Sequence, residues 1–333
     1  MTNSTVKIVR FHEVGGPEVL RLDEMPLPEP GKGEVRLRVK AIGLNRAEIM
    51  FRTGRYLIEP QLPSQIGYEA SGIVEAVGPD VDTQFIGHKF STVPCFDLGR
   101  YGVYGEVAIV PAYALAAYPE QLSFNEATSI WMQYLTAYGA LVYLGKISRG
   151  DYVLITAASS SVGIAACEIA RAQGAVSIAV TRKASKKAEL LALGAHHVIV
   201  TDEEDLVRRV HEISGGLGAR VIFDPIGGKN VEKLAEAAAI GGTIYEYGAL
   251  APEPTPFPLF AALSKGLTVR GYTLFEIVAE PRTRAQAQQY IYNRLQEGTF
   301  KPKIARTFSL DQIVEAHRFM ESNEQIGKIV VTV

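Results

Sequence analysis

The stretch YVLITAASSSVGIAACEIARAQG, from Tyr152 to Gly174, decides the fold. Tyr152–Thr156 is short, apolar and rich in β-branched residues, the pattern of a buried strand. Ala157 to Ser161 is a run of small residues. From Val162 the pattern turns helical and runs to about Gln173, with Gly174 as its C′ residue. Strand, small-residue turn and helix make the first half of a βαβ nucleotide-binding unit. Ala158, Ser159, Ser160, Ser161, Val162 and Gly163 are the expected pyrophosphate cradle. Small side chains let the backbone come close, and a helix N-terminus offers N–H groups and the positive end of its dipole. Serines stand where G-x-G-x-x-G places glycines, so on spacing alone a plain strand–helix turn serves as well. The residues after the helix carry the decision.

Beyond Gly174 the βα alternation continues. Strands are expected at Val176–Thr181, His197–Val200, Val221–Asp224, Thr243–Tyr247 and Leu267–Arg270. Helices are expected at Lys186–Leu193, Glu203–Ile213 and Asn230–Ala239. With Tyr152–Thr156 this gives an α/β fold, a Rossmann doubly wound six-stranded parallel sheet. An NAD site usually carries an acid at the end of its second strand, where it bonds the ribose 2′-OH. Here the strand ends Val180-Thr181-Arg182-Lys183, and no acid comes before Glu189. Arg182, Lys183, Lys186 and Lys187 stand there instead. An acid would repel a 2′-phosphate, whereas these groups pair with one, so the expected cofactor is NADPH, bound around Thr181, Arg182 and Lys187. The competing reading is a solvated basic start to a surface helix, which the helix dipole disfavours.

The first 125 residues read differently. Short strand candidates at Val6–Phe11, Leu20–Glu24, Glu34–Ile42, Gly72–Val77 and Gly105–Val110 are separated by Gly and Pro turns, as in a compact, mainly-β barrel. One helix fits Asn45–Arg52 with Asn45 as its N-cap, and another fits Asn125–Tyr143. Four prolines between Ala251 and Phe260 make that segment a surface loop. Helices near Arg282–Glu297 and Leu310–Glu321 and a strand at Lys328–Val333 are expected to return to the first domain. The division is thus 1–125 with 275–333 for the barrel domain, and 126–274 for the nucleotide-binding domain.

At 333 residues the chain has room for two domains. A net charge of −2 leaves no electrostatic footprint for nucleic acid. No apolar run reaches membrane-spanning length, and the start MTNSTVKIVRF lacks a signal-peptide core. Two cysteines, Cys95 and Cys167, far apart, rule out a disulfide scaffold and fit a reducing cytoplasm.

In this order the parts resemble a medium-chain dehydrogenase/reductase, in its zinc-free, zeta-crystallin-like quinone oxidoreductase branch. Ala41-Ile42-Gly43-Leu44-Asn45 followed by Glu48 is similar to the family's A-x-G-x-N-x-x-D segment, and Gly67-Tyr68-Glu69-Ala70-Ser71-Gly72 to its G-x-E-x-x-G signature. Leu135-Thr136-Ala137, Ala157–Gly163, Leu193-Gly194-Ala195, Phe223-Asp224-Pro225-Ile226-Gly227-Gly228 and Gly327-Lys328-Ile329-Val330-Val331 match further segments. The chain departs from the zinc-dependent branch, which carries a Cys within the stretch here read Leu44-Asn45-Arg46 and a His at Tyr68. The six histidines show no metal spacing either, so no metal is expected.

The resemblance implies a GroES-like barrel domain beside the Rossmann domain, a homodimer, and hydride transfer from NADPH to a quinone. An enzyme of this kind needs an acceptor that requires no Lewis acid. A 2-alkenal or enoyl double-bond reductase is the alternative, and a non-catalytic, crystallin-like NADPH-binding protein is the alternative of another class. The resemblance places Tyr56, in Thr53-Gly54-Arg55-Tyr56, as proton donor or as an aromatic wall of the pocket. It places Asn45 on the nicotinamide ribose or a substrate carbonyl, against its plain role as N-cap. It puts Thr136 and Gly248 near the nicotinamide, against a satisfied helix hydroxyl and a turn glycine.

Overall fold

The computed structural model describes residues 5–333. Contacts divide the chain into two units, one running to Met132 and resuming at Pro302, the other Gln133–Lys301. The anticipated crossings lay at residues 126 and 275. Two helices that follow the last strand of the parallel sheet, α9 and α10 below, stay with the second unit, so the return comes later.

In the first unit β1 (Thr5–Phe11), β2 (Leu20–Pro26), β3 (Glu34–Gly43), α1 (Arg46–Arg52), β4 (Ser64–Gln65), β5 (Glu69–Val77), β6 (Lys89–Thr92), β7 (Val107–Pro111) and β8 (Leu115–Ala116) follow one another, then α2 (Phe124–Ala127). β3 is the spine. It pairs antiparallel with β5 along most of its length, with β7 through Glu34–Arg38, and with the C-terminal strand through Ala41–Gly43. Val35, Leu37 and Val39 of β3 are buried, and so are Arg36 between them and Ala41 and Ile42 beyond. Between these positions Arg36 and Arg38 share the Glu75 carboxylate at 2.8 and 2.9 Å. A guanidinium this far from water is retained only with its charge paired, which Glu75 provides.

The helix expected over Asn125–Tyr143 is broken. α2 has a Ser123–Glu126 capping box and ends at Thr128, α3 (Trp131–Tyr138) begins anew, and a π-turn over Gly139–Leu144 closes it.

The second unit continues with β9 (Tyr152–Ile155), α4 (Ser161–Ala172), β10 (Val176–Thr181), α5 (Lys187–Ala192), β11 (His197–Val200), α6 (Leu206–Ile213), β12 (Ala219–Asp224), α7 (Asn230–Ala237), β13 (Ala238–Glu246), α8 (Leu259–Lys265), β14 (Thr268–Gly271), α9 (Phe275–Val278) and α10 (Pro281–Gln296). The strands form one parallel sheet in the order β11-β10-β9-β12-β13-β14, with the order reversing at β9. This is the expected doubly wound sheet. Leu154, Ile178, Ile199, Ile222 and Ile244, one from each of five strands, pack with Leu234 and Val210 of the crossover helices into one apolar cluster.

Two local readings change. Asp202 to Glu204 precede α6 rather than opening it, because Asp205 is the cap and accepts the Arg208 N–H at 2.8 Å. The proline-rich segment gives way to α8 at Leu259, directly after Pro258.

Pro302 returns the chain to the first unit through β15 (Ile304–Ser309), α11 (Ile313–Glu321) and β16 (Lys328–Thr332), with β16 lying between β15 and β3.

Candidate active site

Each unit carries its own group of candidate residues. In the first, β3 ends at Gly43, where a Cβ would lie 2.2 Å from the Thr128 carbonyl oxygen and 2.8 Å from Lys328 Cε, so only glycine fits. Two residues on, Asn45 is extended and caps α1, with Glu48 closing a capping box. Its N–H donates to Glu48 Oε2 at 2.6 Å, and its amide nitrogen donates to the Gly43 carbonyl at 3.1 Å and to Glu48 Oε1 at 3.3 Å. Its amide oxygen accepts from Lys328 Nζ at 2.5 Å, and the same ammonium donates to Glu69 Oε2 at 2.5 Å. Lys328 is 0% and Glu69 1% exposed. The other oxygen of Glu69 accepts the Met132 N–H at 2.9 Å. Asn45 is therefore engaged on every polar atom by this chain, as cap and as partner of Lys328.

Glu48 joins this group to the tyrosines. It is fully buried and accepts from the Tyr68 N–H at 2.9 Å and from the Tyr104 hydroxyl at 2.5 Å. Burial pushes its carboxyl up, and these bonds pull it part of the way back. Tyr56 follows α1 beyond the left-handed Gly54 and meets Phe51 edge to face, at 6.4 Å between ring centres. Tyr68 is 1% exposed, with its ring 5.6 Å from that of Phe96. Burial pushes the Tyr56 and Tyr68 hydroxyls up, and each phenol acts on the other. The structure thus joins Asn45, Glu48, Tyr68, Glu69 and Lys328 by hydrogen bonds into one set, with Tyr56 packed on Phe51 of the adjoining helix. Among the described residues no three His, Cys, Asp or Glu side chains come together in a way that could hold a metal ion.

In the second unit the turn after β9 is built as a close-approach loop. Ala157 adopts φ +45°, Ala158 is buried and donates its N–H to the Val180 carbonyl at 3.1 Å, and a Cβ on Gly163 would lie 2.6 Å from Ala158 Cα. Helix α4 is therefore pressed against the turn. Ser160 caps it, its hydroxyl accepting the Gly163 N–H at 3.0 Å, with Ser161 and Val162 as the first helical residues. The Ser159 hydroxyl accepts from Lys186 Nζ at 3.0 Å. Thr181 ends β10 buried, and its carbonyl accepts the Thr201 N–H at 2.9 Å. Arg182 and Lys183 follow it, exposed. A 3₁₀ turn over Ala184–Lys186 precedes α5. Within it Lys186 reaches back to the cradle, while Lys187 pairs with Glu204 at 3.5 Å. Of the two, Lys186 is the one the fold brings to the turn. A 2′-phosphorylated dinucleotide fits this end of the sheet: a small-residue turn at a helix N-terminus, no acid after β10, and three cations around it.

Thr136 lies buried in α3. Gly248 follows β13, and a Cβ there would lie 2.6 Å from the Pro225 carbonyl oxygen, so backbone packing alone requires the glycine. Beside it Asp224 accepts the Thr156 hydroxyl and the N–H groups of Ile226 and Gly227, at 3.1 and 2.7 Å for the last two. Burial, then the charge of Asp224, pushes the neighbouring Glu246 up to about 9.

Sequence reasoning gave Lys328 no role and Glu48 only a motif match. The one signal was a lysine inside the apolar run Gly327-Lys328-Ile329-Val330-Val331.

Residues 31–120 match the family described as Alcohol dehydrogenase GroES-like domain, and residues 161–289 the one described as Zinc-binding dehydrogenase. Quinone oxidoreductase 1 of Escherichia coli is 31% identical over 322 residues, spanning 96% of this chain and 97% of that protein. A 2-haloacrylate reductase of a Burkholderia species is 29% identical, over 96% of this chain and 97% of its own length. Among solved structures, an E. coli quinone oxidoreductase complexed with NADPH superposes with a TM-score of 0.90 at 30% identity, covering 98% of this chain and all of that one.

Proposed function

The chain belongs to the quinone oxidoreductase branch of the medium-chain dehydrogenase/reductase superfamily, and from that membership we propose that it reduces quinones with NADPH and without zinc. One observation carries the reading. Where the zinc branch has its Cys and His, this chain has Asn45, its amide oxygen taken by the Lys328 ammonium, and Tyr68, and among the described residues no three His, Cys, Asp or Glu side chains gather there. These residues do not fit a zinc ion. The reading therefore favours an acceptor that is electrophilic by itself, as quinones are.

When bound, NADPH supplies the hydride. This chain's residues bind and orient it and deliver a proton. Arg182, Lys183 and Lys186 pair with the 2′-phosphate, and the Ala157–Gly163 turn takes the pyrophosphate. Thr136 and Gly248 border the nicotinamide. Tyr56 gives its phenolic proton to the reduced acceptor.

A second reading, reduction of an activated carbon–carbon double bond, is favoured by the likeness to the 2-haloacrylate reductase. The experiment that separates the two follows NADPH absorbance with an ortho-quinone and, in parallel, with a 2-alkenal, using NADH as control. Oxidation with the quinone and preference for NADPH is the expected result. Oxidation with the alkenal alone moves the enzyme to the double-bond reductases. Binding of NADPH without oxidation by either acceptor overturns both readings in favour of a non-catalytic binder. In the same assay Tyr56→Phe should slow alkenal reduction by on the order of 100-fold. Quinone reduction should slow less, because a hydroquinone is acidic enough to need little help. If both rates survive, Tyr56 is not the donor.

We also infer a homodimer in the cytoplasm. Helix α8 leaves Phe260 85% and Leu263 72% exposed, one turn apart on one face, and leads into β14, the edge of the parallel sheet. Light scattering should give twice the chain mass, falling to one for Phe260→Asp. A monomeric wild type would end this inference. Cys95 and Cys167 are free thiols, and no helix among the described residues is long and apolar enough to cross a membrane.

A further inference from the structure

We propose that the acceptor is a quinone bearing a hydrocarbon side chain, and that this tail lies on the exposed apolar residues around Tyr56: Val14, Leu57, Ile58 and Leu62. The inference deepens the quinone reading given above and rests on it.

Tyr56 stands in a segment that the fold leaves irregular. α1 ends at Arg52, Gly54 is left-handed, and no helix or strand resumes before Ser64. Leu57 in this segment is 70% exposed, and Ile58 and Leu62 are exposed as well. Two other stretches come in beside it. β1 and β4 are antiparallel with Phe11 opposite Ser64, so residues 12–14 and 61–63 leave that ladder at the same end, exposed Val14 on one side and Leu62 on the other. The Gly15 N–H donates to the Arg52 carbonyl at 3.2 Å, and a Cβ on Gly54 would lie 3.5 Å from Val14 Cγ1. Val14 therefore borders the turn that leads to Tyr56. Beyond Tyr56, a Cβ on Gly99 would lie 3.8 Å from Ile58 Cδ1. Tyr56 itself ends an aromatic row. Phe11 meets Phe51 at 5.8 Å and Phe51 meets Tyr56 at 6.4 Å between ring centres, both edge to face.

Scattered exposed apolar side chains need no explanation, but four gathered about one candidate proton donor do. Their exposed area is on the order of a few hundred Å². That suits a small ligand and falls short of the ~800 Å² that each side of a stable protein interface buries. A lipid surface calls for basic residues beside the apolar ones, and here the neighbouring charges, Arg55 and Glu59, cancel. A hydrocarbon tail needs only apolar surface to leave water, and each buried methylene is worth roughly fourfold in affinity. The tail takes no part in the chemistry: quinone, NADPH and one proton still give hydroquinone and NADP⁺. Its burial is the same before and during hydride transfer, so it lowers KM and leaves kcat alone.

The test uses one benzoquinone ring carrying a methyl, pentyl or decyl group at the same carbon, each below its micelle-forming concentration, with NADPH saturating. From methyl to pentyl, KM should fall by about tenfold or more, with kcat changing less than about twofold. Leu57→Ser combined with Leu62→Ser, both at exposed positions, should melt with wild type and bring the methyl-to-pentyl KM ratio to within about twofold of one. Leu217→Ser alters a leucine that is also 70% exposed but lies between α6 and β12, and it should keep the wild-type ratio. Calorimetric titration with the corresponding hydroquinones, which accept no hydride, should show the same ratios in Kd. If no quinone is reduced at any tail length, the quinone reading has failed first and the tail assignment falls with it. If quinones are reduced but KM ignores the tail, only the tail assignment falls. It falls equally if the ratio survives in the double variant or is lost in Leu217→Ser. Wild type that floats with phosphatidylcholine vesicles, where the double variant does not, gives these residues to a lipid surface and overturns the assignment as well.

Discussion

Lys328→Met should lower the free energy of unfolding by about 3–5 kcal/mol, the usual cost of removing one partner from a buried ion pair. The substitution keeps the length and apolar stem of the side chain and takes away only the charge. Glu69, 1% exposed, would be left with the Met132 N–H alone, and the Asn45 amide oxygen would lose its donor. Water cannot replace the ammonium without opening the contact between Gly43, Thr128 and Lys328, where a single added carbon already has no room. In a unit of this size each kcal/mol moves the midpoint by roughly 2–4 °C, so the first melting transition should fall by about 10 °C. Calorimetry or urea titration reads it directly. Adding Glu69→Gln should recover part of the loss, since the stranded charge rather than the missing attraction carries most of it. A loss under about 1 kcal/mol would mean that the pair is screened like a surface bridge, and the buried network would no longer account for how Asn45 is held.

What could be read from the sequence followed the range of the interactions. The parallel sheet was legible because each strand and each crossover helix carries its own local period, and the order of strands follows from right-handed connections. The missing acid after Thr181 was legible because it lies in the same segment as the turn it serves. The network around Asn45 was not. Lys328 reaches partners 283 and 259 residues away, and nothing local in a β-strand pattern says what a buried lysine will meet. Asn45 could be read as an N-cap from its neighbours, but the use of its amide oxygen could not.

The pair Tyr56 and Tyr68 failed to show for another reason. Both lie in or beside irregular backbone, where residue spacing carries no geometry. The same holds for Lys186 against Lys187: a 3₁₀ turn instead of a helical start sends adjacent lysines to different partners. Helix α8 was hidden by the four prolines before it, which mark a loop but not where the loop stops. The break in the helix after Thr128 was hidden because the apolar period continues across it.

Arg182→Ala should weaken NADPH binding by about 1.5–3 kcal/mol, the loss of a hydrogen bond to a charged group, which is roughly 10- to 150-fold in Kd. NADH binding should stay nearly unchanged. Arg182 is exposed and follows the last residue of β10, so its removal disturbs no core, and a uniform loss cannot be blamed on the fold. Lys186→Ala should cost less in direct charge. It should also affect both cofactors slightly, because Lys186 holds the Ser159 hydroxyl in the turn that takes the pyrophosphate common to NADH and NADPH. The two variants therefore have different signatures: discrimination lost at Arg182, discrimination plus a small shared loss at Lys186. Raising salt should shrink the Arg182 effect, since the group is solvent-exposed and its charge is screened. Fluorescence titration with each cofactor at two ionic strengths measures all of this. Equal losses for NADH and NADPH in Arg182→Ala would show that the basic end of β10 is only a solvated start to α5, and the preference for NADPH would then need another source.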